Sequence, residues 1–108
     1  MASAHAAVPD GWWTDIANNR VSDIEGMLLQ GANPNAIDPH GDPSIMFAVR
    51  RKAWDVFDAL AADPQTNVNL ANRLDETPLM YLAIVGQTAR ARTLIQRGAK
   101  VNRLGWTP

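Results

Sequence analysis

The chain contains no cysteine, which excludes disulfides, zinc–thiolate centres and cysteine nucleophiles. It lacks a charge excess: ten Lys and Arg against eleven Asp and Glu leave a net charge of -1. No global field draws it to nucleic acid or to an acidic membrane surface, and no nucleic-acid partner is expected. It lacks any apolar run approaching the roughly 20 residues that span a bilayer, so no membrane insertion is expected. The opening Met-Ala-Ser-Ala-His-Ala-Ala has neither the basic stretch nor the apolar run of an export signal. It does contain Ala4-His5-Ala6, the small-x-small pattern left by signal-peptide cleavage, so the compartment stays open between cytoplasm and an exported, periplasmic location.

Catalytic motifs are equally scarce. The serines Ser3, Ser22 and Ser44 stand in no nucleophile-elbow context. No glycine-rich loop opens a helix after a strand, as phosphate cradles require. The only histidines are His5 and His40. Asp38, His40 and Asp42 lie close together, but in a turn such residues serve solvent and the local backbone rather than a metal. No catalytic residue, no metal and no cofactor is expected, and the chain is not expected to be an enzyme.

What is present is a composition able to fold. Of 108 residues, 46% are hydrophobic and 19% charged, well inside the globular class. A chain of this size buries about two-thirds of its unfolded surface. The apolar residues are organised by repetition. Asn35, Asn69 and Asn102 lie 34 and 33 residues apart, and each follows a helix-like apolar pair, Met27-Leu28, Leu60-Ala61 and Leu94-Ile95. Between pair and Asn stands Gly31-Ala32-Asn33-Pro34-Asn35 in the first copy and Gly98-Ala99-Lys100-Val101-Asn102 in the third. The second copy reads Asp63-Pro64-Gln65-Thr66-Asn67-Val68-Asn69, with the step from apolar pair to Asn one residue longer than in the others. After each Asn comes a turn, in which Gly41 and Asp75 occupy the same position, and then a helix with proline in its first turn, where the missing N–H costs nothing.

Such units bury their apolar stripes only by stacking on one another. The register predicts inner and outer helices over 11–18 and 22–30, then 44–51 and 54–62, then 78–85 and 88–97. Gly31 and Gly98 fall just past helix ends, where a left-handed backbone is needed.

The pattern resembles the ankyrin repeat, on Thr77-Pro78-Leu79, on Gly98-Ala99-Lys100-Val101-Asn102 and on the period of about 33 residues. The resemblance implies an all-α solenoid of stacked antiparallel helix pairs joined by β-hairpin-like finger loops. The implied organisation is a flexible tail over 1–10 and a repeat domain over 11–108, with repeats at about 11–40, 41–74 and 75–104 and a fourth begun at 105–108. Where the family carries a histidine that bonds the turn threonine, this chain has Trp13, Met46 and Met80. Its second copy replaces Thr-Pro by Pro43-Ser44, so looser turns and modest stability are expected. The last finger is short, and the chain closes abruptly on Thr107-Pro108. A longer parent protein explains this ending; an end that pairs with a second copy is the alternative.

The resemblance also implies a non-catalytic module that binds a protein partner along finger tips and inner-helix ends. Carried onto this sequence, the contact candidates are His40, Asp42, Arg73, Leu74, Glu76, Leu104 and Trp106 on the fingers, and Arg50, Arg51, Ile84 and Val85 on the inner helices. Leu74, Ile84, Val85, Leu104 and Trp106 are expected to form one apolar strip, which missing repeats would otherwise cover. Arg50-Arg51-Lys52, the one dense basic run, is expected to pair with Asp55 and Asp58 one turn on, with phosphate or an acidic partner as the alternative. Arg90, Arg92, Arg97, Lys100 and Arg103, in a segment without acids from Thr77 onward, read as a solvated face. Trp12 and Trp13 read as packing of the first repeat, though tryptophan also anchors interfaces. Two further readings are a regulatory or targeting fragment of a larger enzyme or transporter, and a self-associating structural repeat protein.

Overall fold

The computed structural model describes residues 8–101. Six helices follow in order: α1 (Trp12–Ala17), α2 (Val21–Leu29), α3 (Ser44–Arg50), α4 (Trp54–Ala62), α5 (Pro78–Ile84) and α6 (Thr88–Gln96). Each odd helix packs antiparallel on the even one after it. The pairs stack so that α1, α3 and α5 form an inner row and α2, α4 and α6 an outer one. Beyond the helices, the described residues hold a single antiparallel bridge, Ile37 to Pro43, at the base of the first finger. The inner helices end one residue earlier than expected, and α4 spans its expected range.

The spacing of apolar residues explains the rows. In α4, Val56, Phe57, Leu60 and Ala61 are all buried, a three-and-four stripe that faces its own partner and both neighbours. They join Trp12, Ile16, Ile24, Ile45, Leu82 and Leu94 in one continuous core running through all three pairs. The outer helix α6 is far more polar and buries only Leu94 fully, so the third pair is held chiefly by its inner helix. Of the expected tail, residues 1–7 lie outside the described residues, and Val8 packs against the core.

The turns between inner and outer helices repeat a feature hidden in the sequence. Asn19, Lys52 and Gly86 each adopt a left-handed backbone, at φ 56°, 55° and 78°. The position is shared, but three different residue types fill it, so no residue pattern marks it. Gly31 and Gly98, both at φ 99°, close the outer helices as expected.

The asparagines that mark the repeat tie one repeat to the next. The Asn35 side-chain amide donates to the Gln65 carbonyl at 2.8 Å, and its oxygen accepts from the Asn67 N–H at 2.7 Å. Asn69 does the same to the Gly98 carbonyl and the Lys100 N–H, at 3.1 and 3.0 Å. One carboxamide thus pairs with a backbone donor and a backbone acceptor of the following repeat. Asn102 lies outside the described residues.

The turns without the family histidine are fixed by other means. Thr77 caps α5, its hydroxyl accepting from the Met80 N–H at 3.4 Å, with Pro78 in the first turn. In the second copy the fully buried Ser44 hydroxyl donates to the Ala36 carbonyl and accepts from the Trp12 indole N–H, both at 3.0 Å. Trp12 therefore supplies from the neighbouring repeat the partner that a threonine turn finds locally. Trp13 stacks edge-on against Phe47, which places both N-terminal tryptophans in packing roles.

Candidate functional site

The inner row and the fingers enclose two adjoining hollows. The larger, about 420 Å³, is lined by Asp38, His40, Asp42, Phe47, Arg50, Arg51, Asn72, Arg73 and Leu74. The smaller, about 260 Å³, is lined by Val49, Arg50, Lys52, Tyr81, Ile84 and Val85. Arg50 belongs to both and divides them.

Around Arg50 runs a closed ring of hydrogen bonds between two repeats. Its Nε pairs with Asp42 Oδ2 at 2.7 Å, and its Nη2 donates to the Tyr81 hydroxyl. That hydroxyl donates to Glu76 Oε1 at 2.8 Å. Asn72 Nδ2 donates to the same Glu76 oxygen at 2.9 Å and to Asp42 Oδ1 at 3.3 Å, which completes the circuit. The Arg50 guanidinium also lies over the Tyr81 ring, 4.6 Å from its centre. The five residues come from the first finger, α3, the second finger and α5, so the ring fixes the fingers against the inner helices. Asn72 and Tyr81 were not among the sequence candidates. The repeat pattern points at finger tips and helix ends, whereas these two sit one step inside them.

The fingers are built by local bonds. Asp38 Oδ1 accepts from the N–H groups of His40 and Asp42, both at 2.9 Å, and Asn72 Oδ1 does so for Leu74 and Glu76, at 2.9 and 3.0 Å. Asp38 is committed to shaping a turn. The left-handed residue of each finger is Gly41 at φ 93° and Asp75 at φ 63°. Gly41 is required twice over, because a Cβ there would stand 2.7 Å from Arg73 Cγ. Arg73 folds across Gly41 and donates to the Pro39 carbonyl at 3.2 Å. Gly41→Ala is expected to cost about 1–2 kcal/mol from the left-handed backbone alone. It should cost more than Gly31→Ala, whose site is equally left-handed but open. Urea denaturation of the two variants checks the ranking.

The basic run behaves differently from expectation. Asp55 accepts from the Asn19 side chain, and Asp58 pairs with Arg90 at 2.9 Å, so neither aspartate serves residues 50–52. The physical reason is the stacking. The outer helix turns Asp55 and Asp58 toward neighbouring repeats, while Arg50 points into the hollow and meets Asp42 from the finger.

Hydrogen bonds from Asn72 and then Tyr81, with a smaller contribution from the Arg50 charge, hold the Glu76 carboxyl below its ordinary value of 4.5 against the opposing effect of burial. Burial first, and then the bond to Glu76, raise the Tyr81 phenol, so it remains a donor through the neutral range. The folded chain thus takes up a proton at Glu76 less readily than the unfolded chain. The resulting stability is present above the ordinary carboxylate value and fades as pH falls through the lowered one. Thermal melts between pH 6 and pH 3 should show this acid-labile part in the native chain and lack it in Glu76→Gln.

Among the contact candidates, His40, Asp42, Arg50, Arg51, Arg73 and Leu74 line the larger hollow, Ile84 and Val85 line the smaller one, and Glu76 sits in the ring. Leu74 and Ile84 are each 76% exposed. The expected apolar strip is divided by Arg50 and Tyr81, and its members Leu104 and Trp106 lie outside the described residues.

Stacked helix pairs with projecting fingers define an ankyrin-type solenoid, and the comparisons agree. Residues 74–108 match the family model of the ankyrin repeat. Over 90 residues, 83% of its length, the chain is 31% identical to alpha-latrocrustotoxin-Lt1a of Latrodectus tredecimguttatus, of which it spans 6%. A solved ankyrin repeat domain from Acinetobacter baumannii AYE superposes with a TM-score of 0.77 at 22% identity, covering 85% of this chain and 46% of that one. The chain carries an ankyrin repeat in sequence over residues 74–108 and has the fold of an ankyrin repeat domain. Ankyrin repeats are generally protein–protein interaction modules, and the fold is typically non-catalytic. No helix among the described residues is long and apolar enough to cross a membrane.

Proposed function

We propose that the chain binds a protein partner through its concave face, with His40, Asp42, Arg50, Arg51, Arg73, Leu74, Glu76, Ile84 and Val85 as the contact set. The observation that carries the reading is the ring around Arg50. It holds the floor of both hollows in one geometry before any partner arrives, which lowers the ordering cost of association, while Leu74 and Ile84 stand exposed at the rims. Single exposed leucines are ordinary, but large aliphatic residues grouped beside preformed hollows are a recognised mark of interaction surfaces.

The test is partner capture by cross-linking with the full chain. Leu74→Asp with Ile84→Asp should reduce capture by about tenfold or more with melting unchanged, because both side chains are mostly in solvent. Leu29→Asp, at an 89% exposed leucine on the outer row, should leave capture intact. Equal capture by all three chains would refute the concave-face reading.

A second reading, self-association at the end of the stack, is favoured by Ile95 on α6, which is 45% exposed although its repeat-two counterpart Ala61 is buried. Light scattering decides it: a mass above the monomer that falls in Ile95→Asp supports association, and a monomer at all concentrations removes it.

A further inference from the structure

The two signs of charge on the concave face are used differently. Three of its carboxylates, Asp38, Asp42 and Glu76, are turned inward, while Asp75 is exposed on the second finger. Asp42 is engaged by Arg50 and Asn72, Glu76 by Asn72 and Tyr81, and Asp38 by two backbone N–H groups. Its cations, apart from Arg50, are left over. The ion pairs formed among the described residues are Arg20 with Asp15, Arg50 with Asp42 and Arg90 with Asp58. Arg51, Lys52 and Arg73 have no carboxylate partner among the described residues. Arg51 and Arg73 line the larger hollow and Lys52 the smaller. Arg73 is also held in place, packed over Gly41 with one N–H on the Pro39 carbonyl, so most of its guanidinium fork is oriented and unused. Beside these cations stand the exposed Leu74, Ile84 and Val85.

We propose that this face selects an acidic, aliphatic peptide segment of its partner, with carboxylates against Arg51, Lys52 and Arg73 and aliphatic side chains against Leu74, Ile84 and Val85. The proposal rests on the concave face being the protein-binding surface, and adds to it the chemistry of what is bound. A nucleic acid fits less well. Single strands need aromatic platforms for base stacking, and of the rings here Tyr81 is covered by Arg50 and Phe47 is packed edge-to-face with Trp13. A net charge of -1 also gives no long-range attraction to phosphate.

The experiment is fluorescence anisotropy with the full chain and four labelled probes: a peptide alternating Glu and Leu, one alternating Lys and Leu, one alternating Glu and Ser, and an oligothymidine. The Glu/Leu peptide should bind tightest and weaken as salt is raised. Arg51→Glu with Arg73→Glu should weaken it about tenfold while the chain stays folded by circular dichroism, and Arg73→Gln alone, which preserves the side-chain stem over Gly41 in part, should weaken it less. Equal or tighter binding of the Lys/Leu peptide or the oligothymidine overturns the proposal, as does failure of the Glu/Leu peptide to bind at millimolar concentration. If the Lys/Leu peptide binds and Leu74→Asp with Ile84→Asp abolishes that binding, the acidic preference fails while the concave face stands. If the Glu/Leu peptide binds and neither pair of substitutions affects it, both readings fail.

Discussion

Trp12→Ala is expected to destabilise the stack by about 3–5 kcal/mol, the range for deleting a large buried aromatic. Trp12 is fully buried in the core, and its indole N–H supplies the Ser44 hydroxyl across the first repeat junction. For a chain of this size the melting temperature should drop by more than about 10 °C. Trp12→Phe keeps much of the apolar packing and removes the hydrogen bond, so its loss should be near 1–2 kcal/mol. Calorimetry or chemical denaturation separates the two contributions. A Trp12→Ala variant that melts within a few degrees of the native chain would mean that the first helix pair is not part of the cooperative unit.

The second large effect concerns the junctions themselves. Asn35→Ala combined with Asn69→Ala removes four hydrogen bonds between successive repeats. The expected loss is about 2–4 kcal/mol. The form of the transition should change as well. Stability in a stacked array is the sum of repeat and interface contributions, so weakening two interfaces while leaving each repeat intact should broaden unfolding and lower its denaturant dependence. A loss below about 0.5 kcal/mol with an unchanged slope would show that apolar stacking alone carries the coupling.

Much of this fold is visible in the residue order, and the reason is periodicity. Three apolar pairs and three asparagines at matching separations place helices to within a residue or two, because stacking forces every copy to present the same stripe. Gly41 and Asp75 share a turn position in sequence and a left-handed backbone in space. The site is less legible. Arg50 is marked by its place at an inner-helix end, but its partner Asp42 lies on a finger. The nearer aspartates, 55 and 58, are turned away by the outer helix to meet Asn19 and Arg90. Sequence neighbourhood favours pairs three or four residues apart, whereas a solenoid brings together residues about one repeat apart, as with Arg50 and Tyr81. Asn72 and Tyr81 escape notice for the same reason: a lone asparagine and a lone tyrosine become informative only once two repeats are laid against each other. Ser44 illustrates the converse. Loss of the threonine turn reads as a weakness in the sequence, while the structure supplies the missing partner from Trp12.

Amide chemical-shift mapping of the full chain with the protein captured by cross-linking tests the central claim most directly. The account predicts that the perturbed amides gather at residues 38–42, 50–52, 72–76 and 81–85, with α2, α4 and α6 left unchanged. Perturbations centred on the outer row, with the concave face silent, would contradict it.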